Sequence, residues 1–252
     1  MKRLLTVLLL SILFVPPAQA DALRIGVEDD YPPLSWQDQT GTSRGLIVDI
    51  ALALCARMAA DCTLVPMRFA DLVPALASGK LDAAVAAMAA TDERRKQVLF
   101  TPPFARSPGR LVVRKGEGTG YVSPSKLKGL TLAAQSGTTF ANYLEENYPD
   151  STVKTYAKIE EALGALADRK VDAVLADSIE LTDWLSRDPG RQCCVLDGPP
   201  VTDPKWLSEG FSIAVPKGSA DLAKRLSDAV TAIRGDGTFE RLNGAYAPFS
   251  LE

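Results

Sequence analysis

Histidine is absent from all 252 residues. That removes the commonest metal ligand and the usual activator of a serine or cysteine nucleophile, so imidazole-built metal sites and Ser-His or Cys-His catalysis are excluded. Paired carboxylates and lysine chemistry are the enzymatic options left. Long apolar runs are also scarce. Residues 4–15 form one, but it falls short of the roughly 20 residues that span a bilayer. It follows Lys2 and Arg3 and precedes "AQA" at 18–20, the pattern of a secretory leader and its cleavage site. We therefore read residues 1–20 as a signal peptide, cleaved after Ala20, and the remainder as a soluble exported chain. No cysteine follows that site, so no lipid anchor is expected there. An excess of positive charge is lacking too: 28 basic residues stand against 31 acidic, and loss of Lys2 and Arg3 takes the net charge to about −5, which disfavours nucleic acid or an anionic membrane as partner. The partner expected is a small molecule.

Four cysteines in an exported chain point to disulfides. "CARMAADC" sets Cys55 at the end of a helix and Cys62 at the start of the next strand, where a bond would close a short loop. Cys193 and Cys194 are adjacent, and the sequence leaves open whether they bond each other, bond elsewhere or stay reduced.

The apolar content of 46% supports a substantial core, and the mature length suits one large domain or two smaller ones. "LRIGV" reads as a strand and "EDDYPPLSW" as a turn-rich loop. "LIVDIALALCARMAA" has helical spacing, "CTLVPM" is strand-like, and "FADLVPALASG" is a helix stopping at Gly79. "LDAAVAAM" reads as a buried strand, and "TDERRKQVLF" as a helix capped by Thr91. After "LVVRKG" the alternation restarts with "LTLAAQ", "SGTTFANYLEEN", "STVKTY", "IEEALGALADR" and "VDAVLAD". Alternating strands and helices imply βαβ units and parallel sheets. The phrase is duplicated: "GKLDAAVAAM" at 79–88 has a counterpart in "RKVDAVLAD" at 169–177. Each copy joins a helix, a turn and a strand of the form hydrophobic-Asp-Ala-hydrophobic, so the chain reads as two similar α/β lobes. Ligands bind beyond the C-terminal ends of parallel strands, which here fall at residues 86–88 and at Ala176 and Asp177. Two lobes facing each other would aim both ends into one cleft.

In order along the chain, "RIGVEDDYPPLSW", "GLIVDIALALCARMAADC", "GKLDAAVAAMAATDERRKQVLFTPPF", "LAAQSGTTFANYL", "KVDAVLAD" and "VPKGSADLAKRLSDAVTAIRGDGTFERLNGAY" resemble the periplasmic solute-binding proteins of family 3, which serve polar amino-acid ABC importers. The likeness is strongest to the lysine/arginine/ornithine- and histidine-type binders. It implies an α/β, two-lobed periplasmic-binding-protein fold of type II, the Venus flytrap. The first lobe would be discontinuous, residues 21–108 with 202–252, and the second would span residues 109–201, with hinges near 107–110 and 198–203. The resemblance also implies a bond between Cys55 and Cys62, periplasmic location, an inner-membrane permease as partner, a monomer, and no cofactor or metal.

Arg94 stands in the first turn of its helix, where a cation opposes the helix dipole unless an anion joins it. A guanidinium and free N–H groups there suit a carboxylate, and the resemblance assigns that residue to the ligand α-carboxylate. Asp177 ends a buried strand, where an unpaired carboxylate is costly. By resemblance it holds the α-ammonium, and it can also cap the helix that follows. In "QSGT", Gly137 allows close backbone approach and Thr138 can cap while donating to the carboxylate. Tyr31 is expected as an aromatic wall and Glu28 as an acid facing a side-chain nitrogen, while Trp36 packs at the loop edge. The sequence departs from its relatives at Ala86, Ala87 and Ala89, where many carry Ser or Gly, leaving backbone contacts only. It departs again at Leu46, which replaces an aromatic opposite Tyr31. These departures bear on side-chain preference and leave the two anchors intact. The expected function is a non-enzymatic receptor for a polar or cationic L-amino acid. The alternatives are a lyase of the same fold, similar to cyclohexadienyl dehydratase and using Glu28 and Asp177 for proton transfer, or a sensor component.

Overall fold

The computed structural model describes residues 22–246 apart from positions 121, 204, 208 and 209; the expected cleavage site lies outside the described residues. The chain builds two five-stranded sheets of matching design. In the first the order is Cys62–Met67, Leu23–Glu28, Ala83–Ala84, Ala214–Pro216, Val98–Phe100. In the second it is Thr152–Tyr156, Thr131–Gln135, Ala173–Asp177, Gly109–Arg114, Cys194–Val201. Each sheet opens with three parallel strands, as the βαβ pattern requires, and its fourth strand runs antiparallel to both neighbours. The sheets are therefore mixed rather than wholly parallel, because the fourth strand arrives by a crossover between lobes and not through a helix of its own lobe.

The duplicated phrase is a structural device. In the first copy the Asp82 amide donates to the Arg24 carbonyl (2.9 Å), and its carboxylate accepts from the Arg24 amide (2.8 Å) and guanidinium. In the second the Asp172 amide donates to the Thr131 carbonyl (2.7 Å), and its carboxylate accepts from the Thr131 amide (2.8 Å) and the Arg114 guanidinium. The same aspartate thus clamps the start of the neighbouring strand in each lobe. The preceding helices end alike: Lys80 donates to Ala75 and Lys170 to Ala165, with Gly79 at φ 72° and Arg169 at φ 61° in the left-handed region.

Alternate residues of each central strand face opposite layers. In the first lobe Phe69, Leu72, Leu76, Leu81 and Val98 pack on one side. On the other, helix Leu46–Arg57 packs against Ala220–Gly235 and Thr238–Tyr246. In the second lobe Leu111, Leu132, Leu144 and Leu175 face one layer, and Val112, Ala133, Leu163 and Val174 the other.

Local readings differ at three places. The expected strand over 81–88 is only Ala83–Ala84, and the expected helix from Thr91 is the single turn Asp92–Arg95, followed by strand Val98–Phe100. The expected loop after Glu28 carries a small antiparallel sheet, Asp30–Tyr31, Ser35–Gln37 and Ser43–Arg44. Cys55 and Cys62 are bonded, and Cys193 and Cys194 are bonded to each other, which resolves the alternatives the sequence leaves open.

Candidate functional site

Three strands of the parallel cores end in a polar side chain, and all three ends meet in one cleft between the sheets: Glu28, Gln135 and Asp177. The cleft also draws its walls from Tyr31, Phe69, Ala87, Ala89, Arg94 and Thr138.

Arg94 is positioned by its own short helix. Thr91 caps the turn, its hydroxyl accepting from the Arg94 amide at 3.3 Å. The guanidinium donates to the Ala89 carbonyl (2.7 Å) and, across the cleft, to the Gly137 carbonyl (2.8 Å), and lies 5.2 Å from the centre of the Phe69 ring. No carboxylate pairs with it among the described residues. Burial lowers its pKa to about 10, the signature of a cation held out of water without an anion. Gly137, at φ 75°, carries that carbonyl; a Cβ there would lie 3.2 Å from Ala70 of the other lobe.

Asp177 is buried at the far side. It occupies the N-cap position of helix Ser178–Ser186, yet its side chain makes no capping bond. It accepts instead from the Tyr31 hydroxyl at 2.6 Å and from Ser107. Burial pushes its pKa up to about 7, against those hydrogen bonds. Glu28 accepts from the Gln135 amide at 2.6 Å, and its pKa rises to about 8 through burial, with Asp29, Asp30 and Asp177 adding to the rise. The cleft therefore sets an unpaired cation against two buried acids. That arrangement complements a zwitterion carrying a further positive charge.

Of the residues expected from the sequence, Glu28, Tyr31, Ala87, Ala89, Arg94, Thr138 and Asp177 line the cleft, and Gly137 borders it through its carbonyl. Leu46 does not belong there. It is fully buried at the start of its helix, within the core that includes Ile25, Leu34 and Ile50. An aromatic that does line the cleft with Tyr31 is Phe69, the first residue of helix Phe69–Ala77. Its place directly after strand Cys62–Met67, at the C-terminal edge of the sheet, is a signal present in the sequence. Ala86 is likewise core. Thr138 uses its hydroxyl within its own turn, donating to the Gln135 carbonyl and accepting from the Ala141 amide. Trp36 sits in the small sheet, while Trp206, Phe140 and Phe211 contribute to the cleft without any motif to mark them.

Residues 23–249 match the model of the bacterial extracellular solute-binding proteins, family 3. The L-arginine-binding protein of Pseudomonas aeruginosa is 36% identical over 98% of this chain and 96% of its own. Two solved structures superpose closely. A Salmonella typhimurium periplasmic binding protein described for its high arginine specificity has a TM-score of 0.82 at 26% identity, covering 90% of this chain and 99% of its own. An ancestral arginine-binding protein bound to arginine has a TM-score of 0.81 at 30% identity, covering 89% and 97%.

Proposed function

Because the chain belongs to the bacterial extracellular solute-binding proteins of family 3, we propose that it is a periplasmic receptor for an L-amino acid with a cationic side chain, arginine first among them, delivering it to an inner-membrane ABC permease. The observation that carries this reading is the opposition of Arg94 to Asp177 and Glu28 within one buried cleft. Arg94 would take the α-carboxylate through its planar fork, Asp177 the α-ammonium, and Glu28 the side-chain cation. Phe69 and Tyr31 supply the aromatic walls.

Recognition is coupled to motion. The two bodies expected from the sequence, the first lobe in two segments and the second spanning residues 109–201, would hinge where the chain crosses near 107–110 and 198–203. A ligand touching Arg94 on one body and Asp177 on the other favours the closed state because it meets both only there. The closed monomer, with its leader removed after Ala20, is the form that docks on the permease.

A thermal-shift screen of the purified protein against the twenty amino acids tests the assignment. A ligand at 100 times its dissociation constant adds about 2.7 kcal/mol of stability, so arginine and lysine should raise the melting temperature by several degrees and acidic amino acids should not. Absence of any shift with cationic amino acids would sink the reading. The raised pKa values of Glu28 and Asp177 are the one observation favouring a lyase of this fold, since both acids can exchange protons near neutrality. Releasing bound ligand after long incubation separates the two: a receptor returns it unchanged, a lyase as product.

A further inference from the structure

Glu180 is fully buried, and among the described residues neither of its carboxyl oxygens has a hydrogen-bond partner. The other buried acids all have one: Glu28 accepts from Gln135, Asp177 from Tyr31, and Asp197 from the Thr119 and Gly120 amides. Glu180 lies in the first turn of helix Ser178–Ser186, directly after Asp177. The charged groups that face it come from three elements. Glu160 of helix Ile159–Ala167 acts on it most, then Asp183 of its own helix and Arg187 just after it, and then Glu28 of the first strand. Arg187 offsets part of that negative charge but is itself held by Glu160 at 2.5 Å and by Asp183 at 3.2 Å, so acids outnumber the cation around Glu180. Burial and those like charges push its carboxyl well above the usual range.

A leucine or methionine would fill this position at less cost than an unpartnered acid. Arg187 acts on it without a hydrogen bond, and the other route for a cation is the cleft. Glu180 interacts electrostatically with both Glu28 and Tyr31, which are cleft walls. It is not itself in the lining, but its helix starts from Asp177, which is.

We propose that Glu180 is a specificity-determining residue: Glu28 meets the cationic end of the ligand side chain at the cleft wall, and Glu180, outside the lining, supplies the second negative charge, so that a guanidinium or ammonium group is admitted and a neutral group of the same shape is refused. The inference rests on the reading of the cleft as an amino-acid site. Two buried acids at close quarters do not both ionise alone, since each disfavours the charge of the other. A cation between them and the solvent allows both to do so, and their protons leave as it binds. A neutral ligand leaves both acids protonated and gains nothing from the second.

Titration calorimetry with L-arginine and with L-citrulline, its neutral ureido isostere, tests this in wild type, Glu180→Gln and Glu180→Leu. The ratio of arginine to citrulline affinity should fall at least tenfold in both variants, equivalent to about 1.4 kcal/mol, with citrulline binding nearly unchanged. Runs near pH 7 in two buffers of different ionisation enthalpy should show fewer protons released per arginine bound in the variants. Glu180→Gln keeps the shape and Glu180→Leu removes the polar group altogether, so folding of either variant suffices. An unchanged ratio, with wild type binding arginine, overturns the role of Glu180 alone. Wild-type protein that binds neither ligand overturns the reading of the cleft and this inference with it.

Discussion

The Tyr31 hydroxyl donates to the Asp177 carboxylate at 2.6 Å, joining the first lobe to the second at the point where a ligand ammonium would sit. Beside it Gln135 of the second lobe donates to Glu28 of the first, Arg94 to Gly137, and Lys158 pairs with Asp30 at 3.2 Å. Apart from Lys158 and Asp30, the groups that hold this arrangement border the cleft in which a ligand would sit. Binding exchanges one set of interlobe bonds for another instead of creating contact from nothing.

Tyr31→Phe should therefore shift the unliganded protein toward open forms. A buried hydrogen bond to a charged group contributes roughly 1.5 to 3 kcal/mol, enough to change the closed population about tenfold or more. Small-angle scattering of the ligand-free variant should give a larger radius of gyration than wild type, and saturating arginine should bring the two together. Identical ligand-free profiles would show that this bond does not govern closure.

The Cys55–Cys62 bond ties the end of helix Leu46–Arg57 to the edge strand Cys62–Met67. Closing so short a loop restrains the unfolded chain by about 2 kcal/mol. In a Cys193→Ser/Cys194→Ser background, dithiothreitol should lower the urea midpoint accordingly. Replacing Cys55 and Cys62 by serine should abolish that sensitivity.

Much of this architecture was legible in the sequence. Helix and strand alternation gave the two lobes, and the duplicated Asp82 and Asp172 gave their correspondence, because a strand clamped at its start leaves a recognisable local pattern. Arg94 and Asp177 both line the cleft; Asp177 was legible because an acid at a buried strand end breaks a local rule that a ligand can satisfy, whereas the dipole argument for Arg94 fails, since its helix is the single turn Asp92–Arg95 and a cation there is in the last turn as much as the first. Leu46 was misplaced because an apolar residue at a helix start looks the same whether it faces the core or the cleft. The orientation is decided by packing with Leu34 and Ile25, which lie elsewhere in the chain. Glu180 falls at an ordinary acidic position in the first turn of a helix, and only its burial sets it apart.

Stability and affinity should respond to pH in opposite directions. Glu28 and Asp177 have folded pKa values of about 8 and about 7, raised by burial above the ordinary 4.5 and 3.8. Between those limits the folded ligand-free protein holds more protons than the unfolded chain, so its stability falls as pH rises. The melting temperature without ligand should decline from about pH 5 to about pH 8, and Glu28→Gln should flatten part of the decline. Over the same range arginine affinity should improve as the two acids ionise. A ligand-free melting temperature that rises across this window would contradict the assignment of these protons.

The sharpest test lies in the two anchors. Within its own lobe Arg94 is held by the Ala89 carbonyl and by the face of Phe69, so its guanidinium is oriented before any ligand arrives and little ordering cost remains. A micromolar ligand binds with only about −8 kcal/mol in total. Removing a charge-assisted contact worth roughly 1.5 to 3 kcal/mol, and leaving a ligand charge buried without a partner, takes a large share of that. Arg94→Ala and Asp177→Ala should each weaken arginine binding by about tenfold to a thousandfold with the fold intact by circular dichroism. Arg94→Lys should recover only part of the loss, because an ammonium keeps the charge but cannot reproduce the planar fork or its stacking on Phe69. Asp177→Asn can still accept from Tyr31 but lacks the charge, so it should remain close to Asp177→Ala in affinity while keeping the ligand-free lobes together. Wild-type affinity in Arg94→Ala would place the carboxylate site elsewhere.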